Sequence, residues 1–358
     1  MVPDVFLTLP KANGFKEAIM QALESARRSI DIICFEVSCV DVIELLRQKS
    51  QEGVEVKVRC EYRKTGPALL HSKQAANYIQ LERSQPNDQY YALHEKLVVI
   101  DDKRLIFGTF NLSDVSFNQN LELLFETNRP ELLAAARKQI SSLDDFFGNI
   151  SRIWVPRGYR EIGDTQEQRR ILHFPNLVSD TSQLLFSSGH NLFETIRSAI
   201  DSASRSITIY ASHRIDGAIC QLLVAAYNRG VAVKIVKDVS ALQARDFGRI
   251  GRGVTRCVSV PGKMHIKAIL IDDTGFLVGS VNLFERSLFY DRELLFVGNC
   301  SHTRRQIDQE LVHVDELSKP ITRIDQLRDS MKQLRRNLKG FLKKTVRGFG
   351  IHRLQRKS

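Results

Sequence analysis

Residues 94–111, HEKLVVIDDKRLIFGTFN, and residues 265–282, HIKAILIDDTGFLVGSVN, are two versions of one pattern. Each version begins with a histidine and a lysine two residues apart, reaches an aspartate after four more residues, and ends in Gly-Thr/Ser-x-Asn. A glutamate follows eleven residues after each asparagine. Five specified residues at fixed spacing arise by chance in about one sequence in ten thousand. Two occurrences in one chain therefore indicate an internal duplication.

The duplication extends upstream of this pattern. AIMQALESARRSIDII starts at Ala18 and TIRSAIDSASRSITIY at Thr195, 177 residues later, and both lead to a Leu-Leu pair and then to GVEVKV or GVAVKI. Each copy begins with apolar residues at helical spacing, followed by a β-rich run. A second helix ends near Gly53 or Gly230 and leads into another strand. This order predicts a βαβ unit with parallel strands in each copy.

The spacing inside the pattern predicts a polar hairpin surface. Residues i and i+2 of a strand share a face, so each histidine points the same way as its lysine. Asp101 and Asp272 begin turn-like sequences that reverse the chain. The return strand then brings the asparagine back beside the histidine and lysine. We expect a carboxylate on the next strand to hold the other nitrogen of the imidazole.

A polar stretch joins the two copies. It covers about residues 149–182, contains two prolines and two glycines, and is typical of a linker or an irregular excursion. We place the boundary near residue 175, which predicts domains at 1–175 and 176–320 and a tail at 321–358. Two related copies in one chain usually pack around a pseudo-twofold axis.

The composition excludes several classes of protein. The chain has 358 residues, of which 43% are hydrophobic and 26% charged, as in globular proteins. No apolar run approaches the roughly 18 residues of a membrane span, and the first 15 residues do not resemble a signal peptide. The six cysteines have no CxxC spacing. We therefore expect an intracellular protein with packed thiols rather than a disulfide scaffold or a zinc site.

The net charge of +11 is concentrated in the tail. Eleven basic residues and one acidic residue lie between Leu327 and Ser358, whereas the other 326 residues carry 41 basic and 40 acidic ones. Apolar residues recur there at helical spacing, at Leu327, Met331, Leu334, Leu338, Leu342 and Val346. This pattern predicts a basic amphipathic helix. The helix could lie on an anionic membrane, bind nucleic-acid phosphates, or dock on the body, and we favour the membrane.

The doubled pattern HxKxxxxDxxxxxxG[ST]xN resembles the signature of the phospholipase D superfamily, over about residues 5–315. The resemblance implies an α/β fold of two similar phospholipase D-like domains, each a mixed β-sheet flanked by helices, with the active site at their interface. It also implies a two-step phosphodiester exchange through a phosphohistidine, with no metal and no cofactor. By analogy, His94 is the nucleophile and His265 the acid/base.

The residue types fit that chemistry. One imidazole can attack phosphorus, while the other protonates the leaving alkoxide and then deprotonates the incoming water or alcohol. Charge on the phosphate would be stabilised by two lysines and two asparagines, Lys96, Asn111, Lys267 and Asn282. Glu122 and Glu293 would each orient the histidine of its own copy and stabilise the imidazolium form. We interpret four residues as structural or supporting: Asp101, Thr109, Asp272 and Ser280.

The other seven histidines have no histidine partner in the duplication, and we expect them to be surface or structural residues. His213, which takes the place of Glu36, is expected near the cleft. The leading hypothesis is a phosphodiesterase or phosphatidyltransferase that acts on phospholipids, and the alternative is a nuclease that cleaves DNA or RNA. We expect a cytoplasmic monomer without an obligate protein partner, peripheral at anionic membranes through its tail, with nucleic acid as the alternative partner.

Overall fold

The computed structural model describes residues 4–8, 14–61, 80–83, 92–150, 170–238, 255–259 and 263–320. The predicted tail helix at 321–358 lies outside the described residues, as does most of the segment that joins the two copies.

Each half forms one sheet with helices. The strands of the first half are β1 (Asp4–Thr8), β2 (Ser29–Cys34), β3 (Glu55–Cys60), β4 (Gln80–Arg83), β5 (Lys96–Ile100), β6 (Arg104–Gly108) and β7 (Asn120–Thr127). Its helices are α1 (Phe15–Glu24), α2 (Val40–Gln51), α3 (Asp114–Asn118) and α4 (Pro130–Ile150).

The second half repeats this order. Its strands are β8 (Thr181–Phe186), β9 (Ser206–Ala211), β10 (Ala232–Asp238), β11 (Thr255–Ser259), β12 (Lys263–Met264), β13 (Ala268–Ile271), β14 (Gly275–Gly279), β15 (Leu294–Asn299) and β16 (Lys319–Pro320). Its helices are α5 (Leu192–Ser202), α6 (Gly217–Asn228), α7 (Glu285–Phe289) and α8 (Ser301–Leu317).

The two sheets have the same strand order. The first runs β1-β7-β6-β5-β2-β3-β4, and the second runs β8-β15-β14-β13-β9-β10-β11, with β16 added at its edge. The predicted βαβ units are confirmed, since β2 pairs parallel with β3 and β9 parallel with β10. The predicted hairpins are also confirmed, as antiparallel pairs of β5 with β6 and of β13 with β14. Both sheets are therefore mixed, as expected.

The two sheets bury a common apolar layer. Alternation along each strand sends one set of side chains outward to the helices of its own half and the other set inward to the opposite sheet. Phe107 and Phe125 of the first half stack at 5.2 Å, and both pack edge-on to Phe296 of the second half at 5.1 Å. Helices α4 and α8 contribute Leu132 and Leu311 to the same cluster. The fold thus depends on both halves, because the central layer belongs to neither alone.

The segments that carry the histidines cross between the halves. Leu93 forms a parallel bridge with Arg292, and Lys263 and Met264 of β12 pair parallel with β7. These two crossings occupy equivalent places in the duplication. They relate the halves by the predicted pseudo-twofold and bring the carboxyl-bearing strand of one half beside the histidine of the other.

Both ends of the predicted linker differ from the expectation. Helix α4 continues to Ile150, and β8 begins at Thr181, so regular structure enters the segment from both sides. Phe174 and Leu177 are buried in the core of the second half. The polar composition that suggested a linker contained these apolar anchors, which bind its end to the domain that follows.

Two further expectations concern the cysteines and membrane-spanning helices. Five cysteines are buried and form no disulfide: Cys34, Cys39, Cys60, Cys220 and Cys300. No helix in those ranges is both long enough and apolar enough to cross a bilayer.

Candidate active site

The two histidines lie at the crossings, just before β5 and β13 rather than within them. The backbone N–H of His94 donates to the carbonyl of Arg292 at 2.8 Å, and that of His265 donates to the carbonyl of Leu121 at 3.0 Å. Each histidine is therefore fixed to the opposite half of the protein. Their side chains are only 12% and 11% exposed.

Each imidazole is held by a buried glutamate of the other half. His94 Nδ1 lies 2.9 and 3.0 Å from the Glu293 carboxylate oxygens, and His265 Nδ1 lies 2.8 and 2.9 Å from those of Glu122. The sequence predicted that each carboxylate would serve the histidine of its own copy, and this pairing is wrong. The crossing segments carry each histidine past its own sheet, so the equivalent contact forms between copies.

The contact fixes which nitrogen is available for chemistry. Because the carboxylate engages Nδ1, the imidazole donates its proton from that nitrogen, and the lone pair of the neutral ring is placed on Nε2. Both glutamate side chains are fully buried. Neither imidazole can therefore turn without breaking a hydrogen bond to a buried anion, which is costly.

The carboxylates are themselves held by hydroxyl groups. Glu122 accepts hydrogen bonds from Thr109 Oγ1 at 2.7 Å and from Ser116 Oγ at 2.6 Å. Glu293 accepts the equivalent bonds from Ser280 and Ser287. Thr109 and Ser280, which the sequence marked as supporting residues, thus act through the glutamates.

Ser116 and Ser287 were missed by the sequence reasoning. Each is buried, and each also accepts a hydrogen bond from the backbone N–H of the motif asparagine, Asn111 or Asn282, at 2.9 or 2.8 Å. Both follow that asparagine by five residues, so the duplication contained the signal that finds them.

The lysines and asparagines line the same region. Lys96 Nζ donates to the carbonyl of His94 and Lys267 Nζ to that of His265, both at 2.7 Å, and both lysines are buried. Burial lowers the pKa of Lys96, while the carboxylates Glu293 and Glu122, one from each half, raise it. One lysine side chain therefore lies close to the carboxylates of both motif glutamates.

The asparagines differ slightly in their surroundings. Asn111 and Asn282 are 8% and 5% exposed. Ser212 Oγ donates to Asn282 Oδ1 at 2.9 Å, whereas Cys34 Sγ lies 3.9 Å from Asn111 Oδ1. Phe35, at the position of Ser212, instead packs its ring edge-on to His94 at 5.0 Å and lies 5.6 Å from Lys96 Nζ.

Asp101 and Asp272 lie at the far ends of β5 and β13, away from the imidazoles. The Asp101 carboxylate accepts hydrogen bonds from the backbone N–H groups of residues 27–29, and Asp272 accepts the equivalent bonds from residues 204–206. Burial raises the pKa of each carboxyl, but these backbone donors outweigh it and lower the pKa overall. The aspartates of the motif therefore join the hairpin to the start of β2 or β9.

The electrostatics keep both imidazoles neutral. Burial, reinforced by Lys96 and Lys267, holds the pKa of His94 well below its usual range. Burial also lowers the pKa of His265 to about 4, although the charge of Glu122 opposes this. A neutral imidazole is the form that can act as a nucleophile or a base.

The two carboxylates differ in their surroundings and in their pKa. Asn120 donates from Nδ2 to Glu122 at 3.0 Å, whereas the equivalent position beside Glu293 is Asp291. Burial raises the pKa of Glu122, but the charge of His265 and the hydrogen bonds to the carboxylate lower it overall. Burial raises the pKa of Glu293 to about 7, and burial and the charge of Glu293 raise that of Asp291 to about 7. The pair of carboxyl groups of Glu293 and Asp291 can thus hold a proton near neutral pH.

The arrangement provides every group that a phosphoryl exchange needs. It brings two neutral imidazoles, two buried lysine side chains and two carboxamides together where the two halves meet. Among the described residues, no cluster of three or more His, Cys, Asp or Glu side chains has a metal-binding arrangement.

Comparison with known proteins identifies relatives of the whole arrangement. The family described as "Cardiolipin synthase, PLD-like domain" matches residues 19–143 and 196–314. Cardiolipin synthase A of Pseudomonas entomophila is 27% identical over 346 residues, covering 86% of this chain and 68% of that protein. The mitochondrial cardiolipin hydrolase of Chlamydomonas reinhardtii is 25% identical over 128 residues, 35% of this chain and 55% of that one.

A solved structure shares the fold over nearly the whole length. The crystal structure of phosphatidylserine synthase from Haemophilus influenzae Rd KW20 superposes with a TM-score of 0.69 and covers 96% of each chain. Its sequence identity is 14%, so this likeness concerns the fold alone.

Proposed function

The chain belongs to the phospholipase D superfamily and is an enzyme of that superfamily, and from this premise we propose that it exchanges or hydrolyses the phosphodiester of phospholipids through a phosphohistidine. The observation that supports the proposal best is the crossed pair of imidazoles. Each half supplies one imidazole and the carboxylate that orients the other, so both halves are needed for one reaction.

In the first step, the Nε2 lone pair of one imidazole attacks phosphorus. The bond between phosphorus and the leaving alcohol breaks, and the other imidazole gives a proton from Nε2 to the leaving oxygen. This imidazole is neutral in the free enzyme, and the negative charge of the bound phosphodiester favours its protonation before the step. The attacking ring becomes a phosphorylated imidazolium, whose charge is balanced by the carboxylate at Nδ1. The analogy with the superfamily assigns the attack to His94 and the proton transfer to His265.

In the second step, the acid/base imidazole takes a proton from water or from an alcohol acceptor. That oxygen attacks phosphorus, and the P–N bond breaks to restore the free imidazole. Lys96 and Lys267, with Asn111 and Asn282, would stabilise the negative charge on the nonbridging oxygens throughout. Water as acceptor gives hydrolysis, and an alcohol gives phosphatidyl transfer.

Phospholipid is the substrate that we propose, since the matched family and several relatives carry the name of cardiolipin synthase. The test incubates the protein in EDTA with vesicles of anionic phospholipid and, separately, with single- and double-stranded DNA and RNA. We expect lipid turnover that is lost in His94→Ala and in His265→Ala. Cleavage of nucleic acid without lipid turnover would contradict the proposal and favour a nuclease.

The intermediate can be trapped directly. Turnover quenched with denaturant at alkaline pH, where the acid-labile P–N bond survives, and followed by mass spectrometry should find the phosphatidyl group on one histidine, and we expect His94. Label on His265 would reverse the two roles, and its absence from both histidines during turnover would reject the covalent mechanism.

We also propose that the protein binds anionic membranes through its basic tail, residues 321–358. Basic residues near an anionic surface contribute about 1 kcal/mol each, and eleven lie between Leu327 and Ser358. Vesicle flotation of the whole chain and of a chain ending at residue 320 tests this. Equal flotation of the two would contradict the proposal.

A further inference from the structure

The rims of the cleft, unlike its centre, differ between the two halves. After β2 the first half has Glu36 and Val37, and at the equivalent positions after β9 the second half has His213 and Arg214. The histidines, lysines, asparagines and glutamates of the motif are identical in both copies. The two copies can therefore be compared with each other. Residues that they share are those that the reaction needs, and residues that differ can distinguish the two ends of a substrate.

The loop between the motif asparagine and glutamate contains a second difference. Arg286, on α7, donates from Nε to Asp291 Oδ1 at 2.8 Å. The same oxygen accepts the backbone N–H of Ala92 at 2.9 Å, two residues before His94. The Arg286 side chain is 45% exposed and that of Asp291 only 6%. A guanidinium is thus anchored by a buried carboxylate beside the histidine strand, with much of its surface still accessible.

In the first half, both members of this pair are replaced by neutral residues. The equivalents of Arg286 and Asp291 are Val115, which is 42% exposed, and Asn120, which is buried and bonds Glu122. A buried aspartate next to Glu293 is costly, because burial and the neighbouring carboxylate both raise its pKa, to about 7. The aspartate at this position anchors Arg286, and this contact offsets part of that cost.

His213 lies on the same side of the cleft. Its ring packs edge-on to Phe284 at 5.7 Å between centroids. The residue before it, Ser212, donates to the motif asparagine Asn282 at 2.9 Å, which places His213 beside the site. The charges of His213 and Arg286 both contribute to the lowered pKa of His94. The rim next to His94 therefore gathers basic groups, whereas the equivalent rim has Glu36.

We propose that Arg286, anchored by Asp291 and flanked by His213, forms an anion subsite next to His94 that receives a second phosphate of the substrate, in addition to the phosphate that reacts. The proposal rests on the proposed function and narrows it to phospholipids whose exchanged alcohol itself carries a phosphate. The planar guanidinium suits this role, because its fork of N–H donors matches two phosphate oxygens.

Two lipids that differ only in this feature provide the test. Hydrolysis of cardiolipin releases an alcohol that carries a phosphate, whereas hydrolysis of phosphatidylglycerol releases glycerol. We would measure kcat/KM for both in mixed micelles of equal surface charge. Loss of a charged hydrogen bond to phosphate should reduce the preference for cardiolipin about tenfold in Arg286→Gln. Arg286→Lys should reduce it less, since it keeps the charge and loses the fork.

Matched variants separate the subsite from general effects. Val115→Gln changes the equivalent exposed position on the other rim and should leave the ratio of the two kcat/KM values unchanged. Asp291→Asn should move the ratio in the same direction as Arg286→Gln, because it weakens the anchor. A water-soluble probe tests the subsite without a lipid surface. Glycerol 1-phosphate should inhibit the wild type, with a Ki about tenfold higher in Arg286→Gln.

The outcomes distinguish this inference from the proposed function. Suppose that the wild type hydrolyses both lipids, that Arg286→Gln lowers kcat/KM equally for both, and that the Ki of glycerol 1-phosphate is unchanged. This result overturns the subsite and leaves the proposed function standing. A wild type that processes neither lipid overturns both. A shift in the ratio for Arg286→Gln but not for Val115→Gln supports the subsite.

Discussion

At the scale of single residues, the duplication shows how one side chain changes the chemistry of a buried site. Glu95 lies between His94 and Lys96, is fully buried, and occupies the position of Ile266 in the other copy. Gln139 Nε2 donates to its Oε1 at 2.6 Å, while Oε2 has no hydrogen-bond partner among the described residues. Burial raises the pKa of Glu95 to about 7, with the charge of Arg292 opposing this.

The first prediction concerns Glu95→Gln. A carboxyl whose pKa is raised on folding stabilises the protein fully below its unfolded pKa, and this contribution is lost as the pH rises through the folded pKa. The wild type should therefore lose stability relative to Glu95→Gln between about pH 4.5 and 7, by about 1–3 kcal/mol. Urea unfolding at pH 5 and pH 8 measures the difference.

Asp101→Asn provides the opposite control. The pKa of Asp101 is lowered on folding, so its contribution is present above the unfolded pKa and is lost as the pH falls. This variant should be less stable than the wild type at pH 7, with a smaller difference in acid. A difference between wild type and Glu95→Gln that does not change from pH 5 to pH 8 would show that Glu95 does not hold its proton.

At the scale of elements, the hairpins depend on a close approach of two strands. A Cβ at Gly279, the glycine of the second motif, would lie 2.3 Å from the carbonyl oxygen of Leu294 on β15. That strand continues from Glu293, and Ser280 follows the glycine directly. The glycine thus lets β14 bring the Ser280 hydroxyl within reach of the Glu293 carboxylate.

The second prediction is that Gly279→Ala weakens both folding and catalysis. The added methyl must separate β14 from β15, at a cost of about 1–3 kcal/mol. The same displacement moves Ser280 away from Glu293 and should lower kcat. A Cβ at Gly189, by contrast, meets nothing within 4 Å, so Gly189→Ala should leave the melting temperature and the activity nearly unchanged. Similar melting temperatures for the two variants would refute this account of the motif glycine.

At the scale of the whole molecule, the crossed pairing makes one site out of two domains. The shared apolar layer with Phe107 and Phe296 holds the sheets together, and the crossings fix each histidine to the opposite sheet. A change in the first half should therefore be detected at the histidine of the second half.

The third prediction concerns the crossed pairing of the glutamates and histidines. Glu122→Gln removes the carboxylate charge that raises the pKa of His265, so the pKa of His265 should fall further. Glu293→Gln should act mainly on His94. Nitrogen-detected NMR of the imidazoles at several pH values measures both rings in each variant. If Glu122→Gln shifts His94 and leaves His265 unchanged, each glutamate serves its own copy and the crossed arrangement is wrong.

The sequence by itself determined the duplication, the two mixed sheets and the residues of the motif. These follow from short-range information: the period of apolar residues, turn-forming aspartates, and fixed spacing repeated 171 residues apart in HEKLVVI and HIKAILI. It could also have identified Ser116 and Ser287, which the repeat places in register.

Only the tertiary structure decided which glutamate holds which histidine, and that Asp291 anchors Arg286 beside the strand of His94. Both depend on how two sheets of nearly identical pattern pack against each other. A repeated pattern indicates which residues of the motif meet. It does not indicate whether the two partners belong to the same copy or to different copies. The choice is made by the backbone pairing of the crossing segments and the apolar layer that both sheets bury.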